Sequence, residues 1–116
     1  MKALGKAPVV SFNEKNYPKV CLCGSTKFKE EFLYWAKFFT LNGVIVTMPM
    51  VFAHSGDKIT DEQKRELDDL HKAKILDSQA IFVVNVNGYI GESTKSEIEF
   101  AKSLGIRIMY LEEVEK

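Results

Sequence analysis

Three short stretches of the 116-residue chain carry side chains that can do chemistry. The first is C-G-S-T-K, residues 23–27. Gly24 lets the backbone turn tightly, and Ser25 and Thr26 then stand where a helix would begin. The amides and partial positive charge of a helix start favour an anion, and Lys27 would meet the same group. Gly24, Ser25, Thr26 and Lys27 are therefore candidate phosphate contacts, with an ordinary capped turn as the alternative. Neither GxxxxGK[ST] nor GxGxxG is present. The third stretch is G-Y-I-G-E-S-T-K-S-E, residues 88–97. Gly88 and Gly91 permit close approach of a ligand to the backbone. Ser93 and Thr94 offer hydroxyls at another helix start, Asn85 opens the loop, and Tyr89 has a ring on which a base can stack.

Glu97 has two readings. Thr94-Lys95-Ser96-Glu97 matches a capping box, in which the carboxylate reaches back to a backbone N–H. Alternatively, the carboxylate faces a cleft, kept ionised by the helix dipole and available as a nucleophile. Glu92 is a second acid in the same loop. The middle stretch holds Phe52, His54, Ser55 and Asp57, where His54 can shuttle a proton or donate to an anion. His71 lies four residues before Ile75 and is expected on a face neighbouring the core face of its helix.

These residues need elements to position them. K-V-C-L-C is a short apolar run closed by Gly24 and suits a buried strand. A helix follows, with Phe28, Phe32, Trp35, Ala36 and Phe39 at helical spacing, and Gly43 ends it. V-I-V-T-M is the next strand. Thr60 and Gln63 form a capping box, so a helix begins there, with Leu67, Leu70, Ile75 and Leu76 on its expected buried face. A-I-F-V-V-N-V is a third strand. The spacing then predicts a helix over 93–104, ended by Gly105, and a strand I-R-I-M-Y-L. The alternation predicts an α/β fold: a small three-layer doubly wound (Rossmann/flavodoxin-like) domain over 19–116, with a mostly parallel sheet of 4–5 strands. Residues 1–18 read as an irregular lead-in with a short extended piece at 9–12. In such sheets ligands bind beyond the carboxyl ends of the strands, which brings the three loops together.

Composition narrows the function classes. Sixteen Lys+Arg balance sixteen Asp+Glu, so no long-range field draws the chain to a nucleic acid polymer or an anionic membrane. No run reaches the roughly 18 apolar residues of a membrane span, and the first residues are not a signal peptide; the expectation is a cytoplasmic protein. Cys21 and Cys23 share one face of their strand and read as buried apolar thiols. A metal site would need further ligands, and neither histidine is near them in sequence, so no metal or other cofactor is expected. The first helix holds more aromatics than one buried stripe needs, which suggests a subunit interface.

Taken together, these stretches resemble the nucleoside 2-deoxyribosyltransferase superfamily, including its nucleotide N-glycosidase branch, nearest a bacterial and phage group. The resemblance spans about 19–111. It rests on the strand ending in C-G-S-T, on K-I-L-D-S-Q-A-I-F-V-V-N, on the loop that follows, and on S-T-K-S-E-I-E-F-A, which is similar to the family's G-x-x-x-E-x-G-x-A. It implies that Glu97 is the catalytic glutamate, that Ser93 and Thr94 meet a 5′-phosphate, and that Ser25 and Thr26 belong to the nucleotide site. It implies cleavage or transfer of the N-glycosidic bond of a nucleoside or nucleotide in a homo-oligomer. The sequence departs from the family where His71 replaces an acid, where Glu92 is the nearest acid in the loop after the third strand, and where Glu99 replaces a glycine. A module that binds a nucleotide without turnover is the other reading.

Overall fold

A computed structural model describes residues 15–53 and 56–114. Four strands form one parallel sheet: β1 (Lys19–Cys23), β2 (Ile45–Thr47), β3 (Ala80–Val83) and β4 (Arg107–Tyr110). Their order across the sheet is β2-β1-β3-β4, with Val20 opposite both Val46 and Ala80. Three helices connect them: α1 (Lys29–Leu41), α2 (Asp61–Leu76) and α3 (Glu92–Ser103). The strand order reverses direction between β1 and β3, and this switch point is where open α/β sheets leave a crevice. The α/β fold expected from the sequence is the one observed.

The two faces of the sheet are covered differently because side chains alternate along a strand. Val20, Leu22, Phe82 and Val84 face α1, whose Phe32, Trp35, Ala36 and Phe39 pack against them. Trp35 and Phe39 both reach Phe82, at ring separations of 5.3 and 5.1 Å. Cys21, Cys23, Ile81 and Val83 face the other way, toward Ile75 of α2 and Ile98 and Ala101 of α3.

The starts of the helices fix where side chains land. Ser25 Oγ accepts from the Lys27 amide at 3.2 Å and opens a single 3-10 turn, Thr26–Phe28, that leads into α1. The Thr60–Gln63 capping box at α2 is complete, with reciprocal bonds of 3.0 and 2.9 Å. α2 is rotated relative to the sequence expectation. Its buried residues are His71 and Ile75, whereas Leu70 and Leu76 are exposed. Positions i and i+4 lie on one helix face, so a core-facing Ile75 carries His71 in with it. α3 starts at Glu92, with Gly91 as its N-cap. Among the described residues no helix is long and apolar enough to cross a membrane. The extended piece expected at 9–12 lies outside the described residues.

Candidate functional site

A cleft of about 330 Å³ lies beyond the carboxyl ends of the strands. That is the lower end of the range for pockets that hold a small organic ligand. Its walls come from the loops after β1, β2 and β3 and from one side of α2. Of the sequence candidates, Gly24, Ser25, Thr26, His71, Tyr89, Gly91, Glu92, Ser93, Thr94 and Glu97 all line it.

Gly24 is there for a steric reason. Its φ is +152°, and a Cβ would sit 2.9 Å from the Val84 carbonyl oxygen. The loop after β1 can press against the end of β3 only with glycine at this position.

Two candidates, Asn85 and Lys27, are engaged outside the cleft lining, and Glu92 lies at its mouth. Asn85 is buried, and its side chain is consumed by the backbone of Glu112: Nδ2 donates to the Glu112 carbonyl at 3.0 Å and Oδ1 accepts from its amide at 2.9 Å. It is a clamp on the chain after β4 rather than a ligand contact. Lys27 holds its ammonium 3.7 Å from the centroid of the Tyr89 ring, so it props that ring at the rim. Glu92 lines the mouth, but its side chain is 93% exposed and meets Lys95 at 3.5 Å. His54 lies outside the described residues.

Glu97 lies at the base of the cleft, its side chain only 12% exposed. It does not serve as a cap. α3 begins at Glu92, so Thr94 is already inside the helix and Glu97 sits beyond the first turn. Its Oε1 is 3.7 Å from His71 Nε2 and is buried with no hydrogen-bond partner. Burial is the main force on its proton and raises its pKa from 4.5 to about 7. His71 opposes the shift, and Cys21 and Asp68 add to it. The helix dipole therefore does not hold it ionised, as the sequence reading expected; desolvation wins.

Beneath Glu97 lies a group that the sequence reading divided. His71 Nε2 is 3.3 Å from Cys23 Sγ and 3.8 Å from Cys21 Sγ. Cys21 and Cys23 are fully buried and unpaired as a disulfide. The adjacent Cys23 thiol draws the Cys21 pKa down to about 5 against the cost of burial, with His71 assisting. The same pairing, with burial and the nearby Glu97, pushes Cys23 well above the ordinary thiol range. Burial disfavours a charged His71 ring, but contact with Cys21 and the charges of Cys21 and Glu97 outweigh it and raise its pKa. Both cysteines are buried thiols, as expected, and the structure adds His71 to their apolar surroundings. They are 48 and 50 residues from His71 in the chain, and the fold supplies the contact. The available signal was the C-x-C spacing on a buried strand, which aims two thiols at one helix.

No family model and no curated protein matches this chain.

Proposed function

We propose that the protein cleaves or transfers the N-glycosidic bond of a nucleoside or nucleotide, with Glu97 as nucleophile. The observation that carries this reading is the Glu97 carboxyl at the base of the cleft, its Oε1 without a hydrogen-bond partner and 3.7 Å from His71 Nε2. A glycosidic carbon can be attacked only by a carboxylate free of capping duty. The reading draws its substrate class from the resemblance described above. The start of α3 supports it: the first amides of a helix lack internal acceptors, and Ser93 and Thr94 stand beside them in the cleft wall. Lys64, paired with Asp68, and Lys74, which donates to the Met48 carbonyl, line the same cleft and place ammonium groups within it. Tyr89, steadied by Lys27, offers a face for the base.

The steps balance with the residues at hand. A Glu97 oxygen bonds to C1′ as the bond from C1′ to the base nitrogen breaks. The electron pair leaves with the base, and His71 supplies its proton. Water, or a second base in transfer, then attacks C1′; Glu97 departs as carboxylate, and neutral His71 takes the proton released. A nearby carboxylate stabilises the oxocarbenium-like transition state. The exposed Tyr34, Phe38 and Leu41 on α1 support a homo-oligomer, which sedimentation would register as a mass above that of one chain.

The test is incubation with a panel of deoxynucleosides and their 5′-monophosphates, followed by chromatography for free base. Release is expected from the wild type and should fall at least about 10³-fold in Glu97→Ala. Release that survives the substitution removes Glu97 as nucleophile. Binding without release across the panel would favour a nucleotide-binding module.

A further inference from the structure

We propose that Cys21, Cys23 and His71 form a binding site for a thiophilic divalent cation of the zinc class. This goes beyond the glycosidic reading and does not rest on it.

The three donor atoms, Sγ, Sγ and Nε2, all lie within 4.8 Å of one another. Zinc takes thiolate at about 2.3 Å and imidazole at about 2.0–2.1 Å, tetrahedrally. Those bonds place a sulfur and a nitrogen about 3.5 Å apart. The observed sulfur–nitrogen separations are 3.3 and 3.8 Å, so the imidazole already stands at such an edge from each sulfur, and the two sulfurs, within 4.8 Å of each other, close to about 3.8 Å on a shared zinc. Both thiols come from one rigid strand at the centre of the sheet, and the imidazole comes from a helix packed on it. Pairing on both edges of β1 fixes the backbone that carries the thiols, so only side-chain rotation is needed to bring them onto one ion.

Three further observations point to a cation. Nε2 faces Cys21, Cys23 and Glu97 at once, yet a single N–H can donate well to only one of them. A cation in their midst would engage both sulfurs and the ring nitrogen together. Charge balance agrees: two thiolates and a neutral imidazole make a divalent ion neutral, which suits surroundings built of Ile75, Ile81 and Ile98. The donor set is also selective, because two thiolates disfavour magnesium and calcium. Glu97 stands on the cleft side of the cluster, 3.7 Å from Nε2. The fourth position therefore opens toward the cleft, where a water can complete the shell. Two cysteines, one histidine and an open position constitute a recurring set in zinc chemistry.

Both uses of His71 require Nε2, so metal binding and proton transfer by this ring exclude each other. Added zinc should then suppress base release in a protein that shows it.

The experiment is a cobalt(II) titration of the full-length, reduced, chelator-treated protein, followed by absorbance. The expected result is a thiolate-to-cobalt charge-transfer band with visible bands of four-coordinate cobalt. They should saturate at one cobalt per chain and collapse when zinc is added. Absence of the charge-transfer band in the wild type overturns the proposal. Cys23→Ser and His71→Gln, checked for folding by circular dichroism, should each abolish tight binding; a folded His71→Gln that keeps unaltered bands also overturns it. Glu97→Gln should keep the charge-transfer band while losing base release. Base release by metal-free protein is measured separately, so each idea fails on its own readout.

Discussion

The two faces of the sheet are built from the same strands and do opposite work. Along β1 the side chains alternate: Val20 and Leu22 point to α1, Cys21 and Cys23 to α2 and α3. The α1 face is a set of interlocked rings, in which Trp35, Phe39 and Phe82 touch one another. The other face is apolar at its base but holds His71 and Glu97 at its upper end. All the buried side-chain atoms without a partner among the described residues, Thr47 Oγ1, His71 Nδ1 and Glu97 Oε1, belong to this second side; Thr47 is opposite Cys21 in register. A native structure leaves few such atoms, and each asks for an explanation. The pleat of a single strand thus separates a face of packed rings from a face that buries titratable and unpartnered polar groups.

The division is broken most severely from the ring side. Phe32 is fully buried and stacks edge-on with Phe52. Phe32→Ala should cost about 3–5 kcal/mol, seen as a lower urea midpoint. Where the variant is still folded, the Glu97 carboxyl, followed by NMR, should titrate as in the wild type. Cys21→Ala removes only a sulfur from the other face and should cost less, roughly 1 kcal/mol, while changing the titration of both His71 and Glu97.

The chemical side is sharpened by pH. Glu97 has an ordinary pKa of 4.5 and a folded value of about 7. The folded protein therefore holds this proton more tightly than the unfolded chain. The associated stability is present below about pH 4.5 and is lost as pH rises through 7. Cys21, lowered from 9.0 to about 5, acts in the opposite sense, so the test is a difference. Glu97→Gln keeps the shape without the charge. Relative to wild type it should gain up to roughly 3 kcal/mol at pH 8, and the gain should vanish near pH 4.5. A gain that does not depend on pH would show that Glu97 is not strained by burial. Base release should rise with pH as the carboxyl ionises and fall again as His71 loses its proton.

Gly24 joins the two sides, at the end of β1 and in the cleft wall. Gly24→Ala meets the Val84 carbonyl oxygen, with Phe32 close behind. A cost of about 1–3 kcal/mol is expected, with weaker substrate binding because the loop must move.

The fold was legible because its signals are local. Short β-branched runs, a full capping box at Thr60 and glycines after helices determine elements without help from tertiary contacts. The loops around the cleft followed from strand order alone. What stayed hidden depended on helix rotation. Apolar spacing places Leu67, Leu70, Ile75 and Leu76 on the buried face of α2; Ile75 is buried, but the leucines face the cleft or solvent and a histidine takes the other core position. Placing His71 against the thiols is a contact across 48 residues, and no period in the sequence encodes it. Asn85 reads as a ligand contact in a loop; only the chain after β4, folding back to it, reveals a clamp. For Glu97 the spacing matches a cap, but helix start depends on which residue first takes helical angles, and Glu92 does so, after an extended Gly91, earlier than the motif implies.

The smallest effect separates position from chemistry on α2 itself. The Thr60 hydroxyl accepts from the Gln63 amide, and Gln63 returns the bond to Thr60. Thr60→Ala removes the first and leaves the second without its partner geometry. The cost should be about 1 kcal/mol, a small shift in thermal midpoint. His71 lies three turns further along the helix and is held there by Ile75 packed beneath it and by Lys74, which donates to the Met48 carbonyl at 2.9 Å. Fraying at Thr60 therefore does not reach it. Base release and cobalt binding by Thr60→Ala should match the wild type; a loss of either would mean that the start of the helix, rather than its packed end, sets where the imidazole sits.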